Sequence, residues 1–180
     1  MLQEIVGAPG PHPEHADALM LFGQFVGSWD VEAIQHAPDG AERRMSGEWH
    51  FFWALEGRAI EDVIISPRRA ERDARNWGEG DYQTAIRIYH PATDSWEVIA
   101  ISPIYEQVHR LVARAEGETI VLRGTRPDGR PQVWMFLDIT PDRCRWQGKV
   151  SNDGGETWFV DEEMILTRAG GQTALRWETR

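Results

Sequence analysis

The chain has a single cysteine, Cys144, among its 180 residues. No internal disulfide can form, and its thiol content gives no reason to place it in an oxidising compartment. It lacks any run of about 18 apolar residues, the length a membrane-spanning helix needs. Its opening stretch, MLQEIVGAPGPHPEH, has neither the basic start nor the long apolar segment of a secretory signal. Positive charge is scarce too: 19 Lys and Arg stand against 29 Asp and Glu, a net charge of −10. Such an excess of negative charge repels phosphate backbones and anionic lipid headgroups, which excludes nucleic acid and membrane as expected partners. The GxSxG, P-loop and GxGxxG motifs are absent, as is any His-x-His pair. A cytoplasmic chain with one domain is expected, long enough to bury roughly 70% of its unfolded surface.

Residues 1–12 are punctuated by Gly7, Pro9, Gly10 and Pro11 and read as a flexible arm. The domain proper is expected over residues 13–180. Between His15 and Gln24 the apolar positions Ala18, Leu19 and Phe22 recur at spacings of three and four, and Phe25 continues the pattern, which predicts a short amphipathic helix. After Gly27 the period changes to two: Trp29, Val31 and Ala33 alternate with Asp30 and Glu32. Alternating segments then follow to the end of the chain, joined by turns such as Pro38-Asp-Gly40, HPATD and RPDGRP. Only PRRAERDARNWGEGD, residues 67–81, interrupts them. A connection that long is either functional or disordered, and Trp77 at an open end would make it a lid.

About nine or ten strands with no helical pattern between them exclude a parallel sheet, whose crossovers need helices. The predicted fold class is all-β, a single antiparallel up-and-down β-barrel behind a short N-terminal helix. Parity assigns inward faces to Tyr82, Thr84, Ile86 and Ile88, to Trp96, Val98 and Ala100, to Cys144, Trp146, Gly148 and Val150, and to Trp158, Val160, Glu162 and Met164. One bulge would invert any of these faces.

Four segments carry a family resemblance: FVGSWDV at residues 25–31, GEWHFFWALEGRAIED at 47–62, IRIYHPATDSWEVIAIS at 86–102 and DEEMILTR at 161–168. Together they resemble a lipocalin-like, calycin-type bacterial family of unknown function, over most of the chain. Trp29 resembles that family's first-strand Trp, and Trp53, Gly57 and Arg58 its Trp-x-x-x-Gly-Arg segment. Tyr89 and Trp96 stand where the family has Tyr-Asp and a following aromatic, and Glu163 and Arg168 match its terminal Glu-x-x-x-x-Arg. Two departures stand out: His90 replaces an acidic residue, and the 67–81 loop is longer and more charged. The resemblance implies an antiparallel barrel with a small-molecule cavity, and no particular reaction.

Nine tryptophans are many for this length. Trp29 with Arg168 reads as a structural stack of guanidinium on indole at a closed end. Trp49, Trp53, Trp96, Trp146 and Trp158 are expected inward, either as packing or as the walls of a pocket for a flat, apolar or polycyclic ligand. Tyr82 and Tyr105 could add hydroxyl donors. Asp62, His109 and Glu162 fall on inward faces, where burial would perturb their pKa values. His109 as a general base oriented by Asp62 or Glu162 is the expected catalytic set, suited to isomerisation, cyclisation or dehydration. The alternatives are satisfied core polar groups, and a passive carrier or sensor. No metal or cofactor is expected. Barrels of similar appearance that bind haem use a His near the C-terminal strand; residues 157–180 contain none, so the resemblance disfavours haem. Cys144 is expected buried and inert. The expected partner is an apolar or aromatic small molecule, with homodimerisation left open.

Overall fold

The computed structural model describes residues 7–73 and 80–170. A 3-10 turn, Pro13–His15, leads into one helix, α1 (Ala16–Gly23). Ten strands follow: β1 (Gly27–His36), β2 (Glu42–Ala54), β3 (Ala59–Ser66), β4 (Asp81–His90) and β5 (Ser95–Ser102), then β6 (Gln107–Glu116), β7 (Thr119–Thr125), β8 (Pro131–Leu137), β9 (Arg143–Val150) and β10 (Phe159–Arg168). Each strand pairs antiparallel with its sequence neighbours, and β1 pairs with β10 to close the barrel. The expected all-β, up-and-down barrel is therefore the fold. Closure leaves no strand edge unpaired, which removes the usual template for aggregation.

The alternation of period two builds the core. On β8 and β9, Trp134 and Phe136 face Gly148 and Trp146 across the ladder, and these side chains point inward with Cys144 and Val150. On β6 the inward row is His109, Leu111 and Ala113. β4 departs from the expected parity. Ala85 and Arg87 are buried while Tyr82 and Ile88 are exposed, so the inward row is the one read as outward from sequence. The physical reason is a buried ion pair that satisfies Arg87 inside the barrel.

One end is closed from several directions. Phe22 of α1 packs edge-on against Trp96, 5.1 Å between ring centroids, and also contacts Phe136. Gly23 lets α1 approach the barrel, since a Cβ there would stand 2.6 Å from Cζ2 of Trp53. The Trp29 indole donates to the Phe25 carbonyl at 2.7 Å, and the Arg168 guanidinium lies over its ring at 4.2 Å. Arg168 also donates to the carbonyls of Gln24, Val26 and Pro141. It thus ties the last strand to the turn that opens the first.

Residues 7–12, part of the expected arm, dock on this end. The Ala8 N–H donates to the Trp53 carbonyl and the His12 N–H to the Gly57 carbonyl, both at 3.0 Å. Gly57 has a φ of +81°, and a Cβ there would overlap the Gly10 carbonyl, so the Trp53-x-x-x-Gly57-Arg58 segment is the arm's cradle. Residues 1–6 of that arm lie outside the described residues. So does Trp77 of the expected lid. The described part of the 67–81 connection leaves β3 and enters β4 at the opposite, open end, as expected. Arg72 fastens it to the rim by donating to the carbonyls of Ser66, Pro67 and Asp81.

Candidate functional site

The open end leads into a cavity of about 400 Å³. Its inner wall is aromatic and aliphatic: Trp49, Trp134 and Trp146, with Ile64, Ala85 and Met164. The Trp134 and Trp146 rings lie 5.6 Å apart, and Trp49 meets Trp146 edge-on at 6.4 Å. These flat faces suit a flat ligand. The rim is polar instead. Gln35, His36 and Gln107 line it with Asp81, Tyr105 and Arg126, and Asp161 and Glu162 complete it. The cavity is amphipathic, an aromatic wall with ionisable groups at its mouth.

Beneath the wall sits the ion pair of Arg87 and Asp62, both almost wholly buried. The Asp62 carboxylate also accepts the Trp49 indole N–H at 2.7 Å, which fixes the wall indole in place. The Arg87 guanidinium lies over the rings of Phe22 and Phe51 at 5.1 and 5.5 Å. Burial pulls its pKa down to about 9. Asp62 is therefore committed to Arg87 and Trp49. It does not touch His109, which corrects one half of the expected catalytic set.

His109 is buried in the cavity wall, 5.2 Å from the Trp134 ring. Its Nε2 lies 3.1 Å from Oε1 of Gln107 and its Nδ1 lies 3.1 Å from Nε2 of Gln132. Two amides hold the ring, not a carboxylate. With no anion in contact, burial dominates and lowers its pKa below the ordinary 6.5, with Arg126 adding to the effect. The imidazole is neutral at physiological pH. Glu162 lines the same cavity, but its hydrogen-bond partner is Gln35 at 3.5 Å, so the other half of the expected set is also unjoined.

Glu162 owes its position to a register shift between Val160 and Glu162 where β10 meets β9. The bulge lets two consecutive carboxylates, Asp161 and Glu162, both line the cavity, which strict alternation forbids. Arg126 forms an ion pair with Asp161. Glu162 is half-buried without a cation, and desolvation pushes its carboxyl up to about 8, aided by the charges of Asp81 and Asp161. Asp81 is raised by burial as well, although it accepts the Ser102 hydroxyl at 2.8 Å.

The expected ligand wall divides in two. Trp49, Trp146 and Tyr105 line the cavity. Trp53 and Trp96 are buried at the closed end against Gly23 and Phe22, where they plug the barrel and stand clear of the cavity lining. Tyr82 is exposed on the outside of β4 beneath Arg72. Trp158 is 41% exposed in the turn before β10, because the bulge breaks the parity that placed it inward. Sequence reasoning did not single out Trp134, Arg87, Asp81, Gln107 or Asp161. Trp134 had a signal: it alternates with Gln132 and Phe136 on a clear strand.

Among the described residues no group of three His, Cys, Asp or Glu side chains is arranged to hold a metal ion. Cys144 is buried on the inward face of β9 and its thiol is pushed up to about 12 by desolvation. Among the described residues no helix is long and apolar enough to cross a membrane.

No family model matches the sequence, and no curated protein matches it. Solved structures do match in shape. The chain is similar to Rv2717c from M. tuberculosis, with a TM-score of 0.57 and 14% identity over 86% of this chain and 98% of that one. It is also similar to the S-type phycobiliprotein lyase CPES from Guillardia theta, with a TM-score of 0.59 and 12% identity over 90% of this chain and 100% of the lyase. At such identities the likeness is one of fold, a closed antiparallel barrel.

Proposed function

We propose that this barrel binds a small molecule whose flat, apolar body lies against Trp49, Trp134 and Trp146 and whose polar end meets the rim. The observation that carries this is the cavity itself, about 400 Å³, open at one end and walled by three indoles. Packing alone does not account for it, because close-packed interiors leave few voids larger than a water molecule. The fold neighbour whose own name describes a lyase for phycobiliproteins supports the reading only in that its barrel has the same architecture. A carrier or sensor in the cytoplasm is the form this function takes. A homodimer would cover Val108, Val112 and Ile101, which are exposed on β5 and β6.

The test is a panel of neutral, cationic and anionic bicyclic aromatics, scored by melting-temperature shift and by the ring resonances of His109. Binders should move both. If no compound in the panel perturbs His109 or raises the melting temperature, the binding reading fails.

One observation favours a second reading, acid/base catalysis of an isomerase, cyclase or dehydratase type. A carboxyl with a pKa near 8, Glu162, and a neutral imidazole, His109, line one cavity. Such a pair can donate and accept a proton at neutral pH without touching each other. His109→Gln should then abolish turnover of a bound compound while its affinity survives. A substrate turned over equally by that variant would end the catalytic reading.

A further inference from the structure

We infer that the ligand carries a protonated basic nitrogen on its flat body, held at the rim by Asp81 and Glu162, with a hydrogen-bond acceptor at its inner end. This rests on the binding reading above.

Three carboxylates line the rim, and of these only Asp161 has a cation in ion-pair contact, Arg126. Arg72 lies beside Asp81 but spends its donors on main-chain carbonyls. Glu162 has only the Gln35 amide, at a long 3.5 Å. Among the described residues neither Asp81 nor Glu162 makes an ion pair. Arg126 acts on Glu162 and Arg72 on Asp81 without an ion-pair contact, and Arg43 of β2, across Gln35 from Glu162, acts on Tyr105. His36 is engaged with Glu163 at 3.3 Å and Glu42 at 3.6 Å. His109 is neutral between its two amides, and the Tyr105 hydroxyl, pushed up by burial, stays protonated.

The inner end has the opposite need. Arg87 lines the cavity with its side chain 2% exposed, and its Nε makes no hydrogen bond. Its charge is already balanced by Asp62. A buried donor without an acceptor therefore belongs to a residue of the inner end, where a neutral acceptor such as a carbonyl, ether or ring nitrogen fits, and a second full negative charge does not.

Two rim carboxyls with no cation in contact cost free energy when ionised, which favours the protonated form of each. The raised pKa values of Asp81 and Glu162 express this. A ligand cation displaces the Glu162 proton and makes both groups charge-assisted acceptors. The net charge of −10 also draws cations toward the open end and repels anionic compounds.

Three probes share one flat body and differ in the charge of the head group: 2-naphthamidine, 2-naphthamide and 2-naphthoate. Isothermal titration of the full chain at pH 7, in Tris and in phosphate, should rank naphthamidine at least about tenfold above naphthamide, with naphthoate weakest. Naphthamidine binding should release protons, seen as heats that differ between the two buffers. In the double variant Asp81→Asn/Glu162→Gln the amidine-to-amide ratio should fall to about one and the proton release should vanish. Equal affinities in the wild type, or a preference for naphthoate, overturn this inference and leave the binding reading standing. Failure of all three to bind counts against the binding reading, and this inference falls with it.

Discussion

Arg87 of β4 and Asp62 of β3 form an ion pair inside the barrel, with both side chains at 2% exposure or less. The pair sits between the aromatic plug of the closed end and the wall of the cavity. Removing one partner leaves a buried charge without compensation. Arg87→Met or Asp62→Leu should each cost about 3–5 kcal/mol of stability. The double variant Arg87→Met/Asp62→Leu should cost much less than the sum of the two. Urea denaturation of the three variants measures this, and additive losses would mean the pair contributes nothing as a pair.

At the closed end, Trp29 and Arg168 are direct partners across the β1–β10 ladder as well as stacked. Trp29→Ala removes a fully buried indole and should cost about 3–5 kcal/mol. Arg168→Ala should cost less in packing but releases three carbonyls at once. A double-mutant cycle should return a coupling above about 0.5 kcal/mol. A coupling near zero would separate the stack from the stability of the barrel.

Cys144 gives a chemical probe of barrel integrity. Its thiol is 1% exposed, and the thiolate is the reactive form. With the thiol pushed up to about 12, the folded chain should resist Ellman's reagent at pH 8. Labelling should appear only across the urea transition that also exposes the tryptophans. Rapid labelling of the folded chain would show that β9 opens locally.

Alternation made the barrel readable, and it also explains where reading by alternation stopped. On β9 polar and apolar residues separate cleanly, and on β6 Arg110 and Arg114 mark the outer face although Val108 and Val112 share it, so Leu111, Ala113, Cys144 and Trp146 could be placed inward from sequence. On β4 both faces carry apolar residues, Ile86 and Ile88 on one and Ala85 on the other, and Arg87 argued for the wrong side. Its partner Asp62 is a residue of β3, and no local pattern couples the two. On β10 the register shift before Glu162 depends on how that strand meets β9, so Asp161 could not be seen as a rim residue. Plug and wall tryptophans look alike in sequence. Only the docking of α1 on Trp53 and Trp96 tells them apart from Trp49 and Trp146.

Glu162 should make the barrel less stable as the pH rises. Its carboxyl titrates near 8 when folded against an ordinary 4.5. Between those values the unfolded chain has released a proton that the folded chain still holds, so stability falls with increasing pH and the penalty is complete above about 8. Water that reaches this half-buried carboxyl reduces the effect to a few kcal/mol at most. Asp81, raised by burial, acts in the same direction. Glu48 acts in a separate window: held near 2 by Arg69, it adds stability that is present above 4.5 and lost as the pH falls through about 2. His109, with its lowered pKa, favours the folded state as the pH rises toward 6.5. Comparing wild type with Glu162→Gln cancels these other groups. Urea unfolding at pH 5, 6.5 and 8.5 should show the variant gaining on the wild type at each step, and exceeding it at pH 8.5. Parallel pH profiles would mean that the carboxyl ionises normally at the rim.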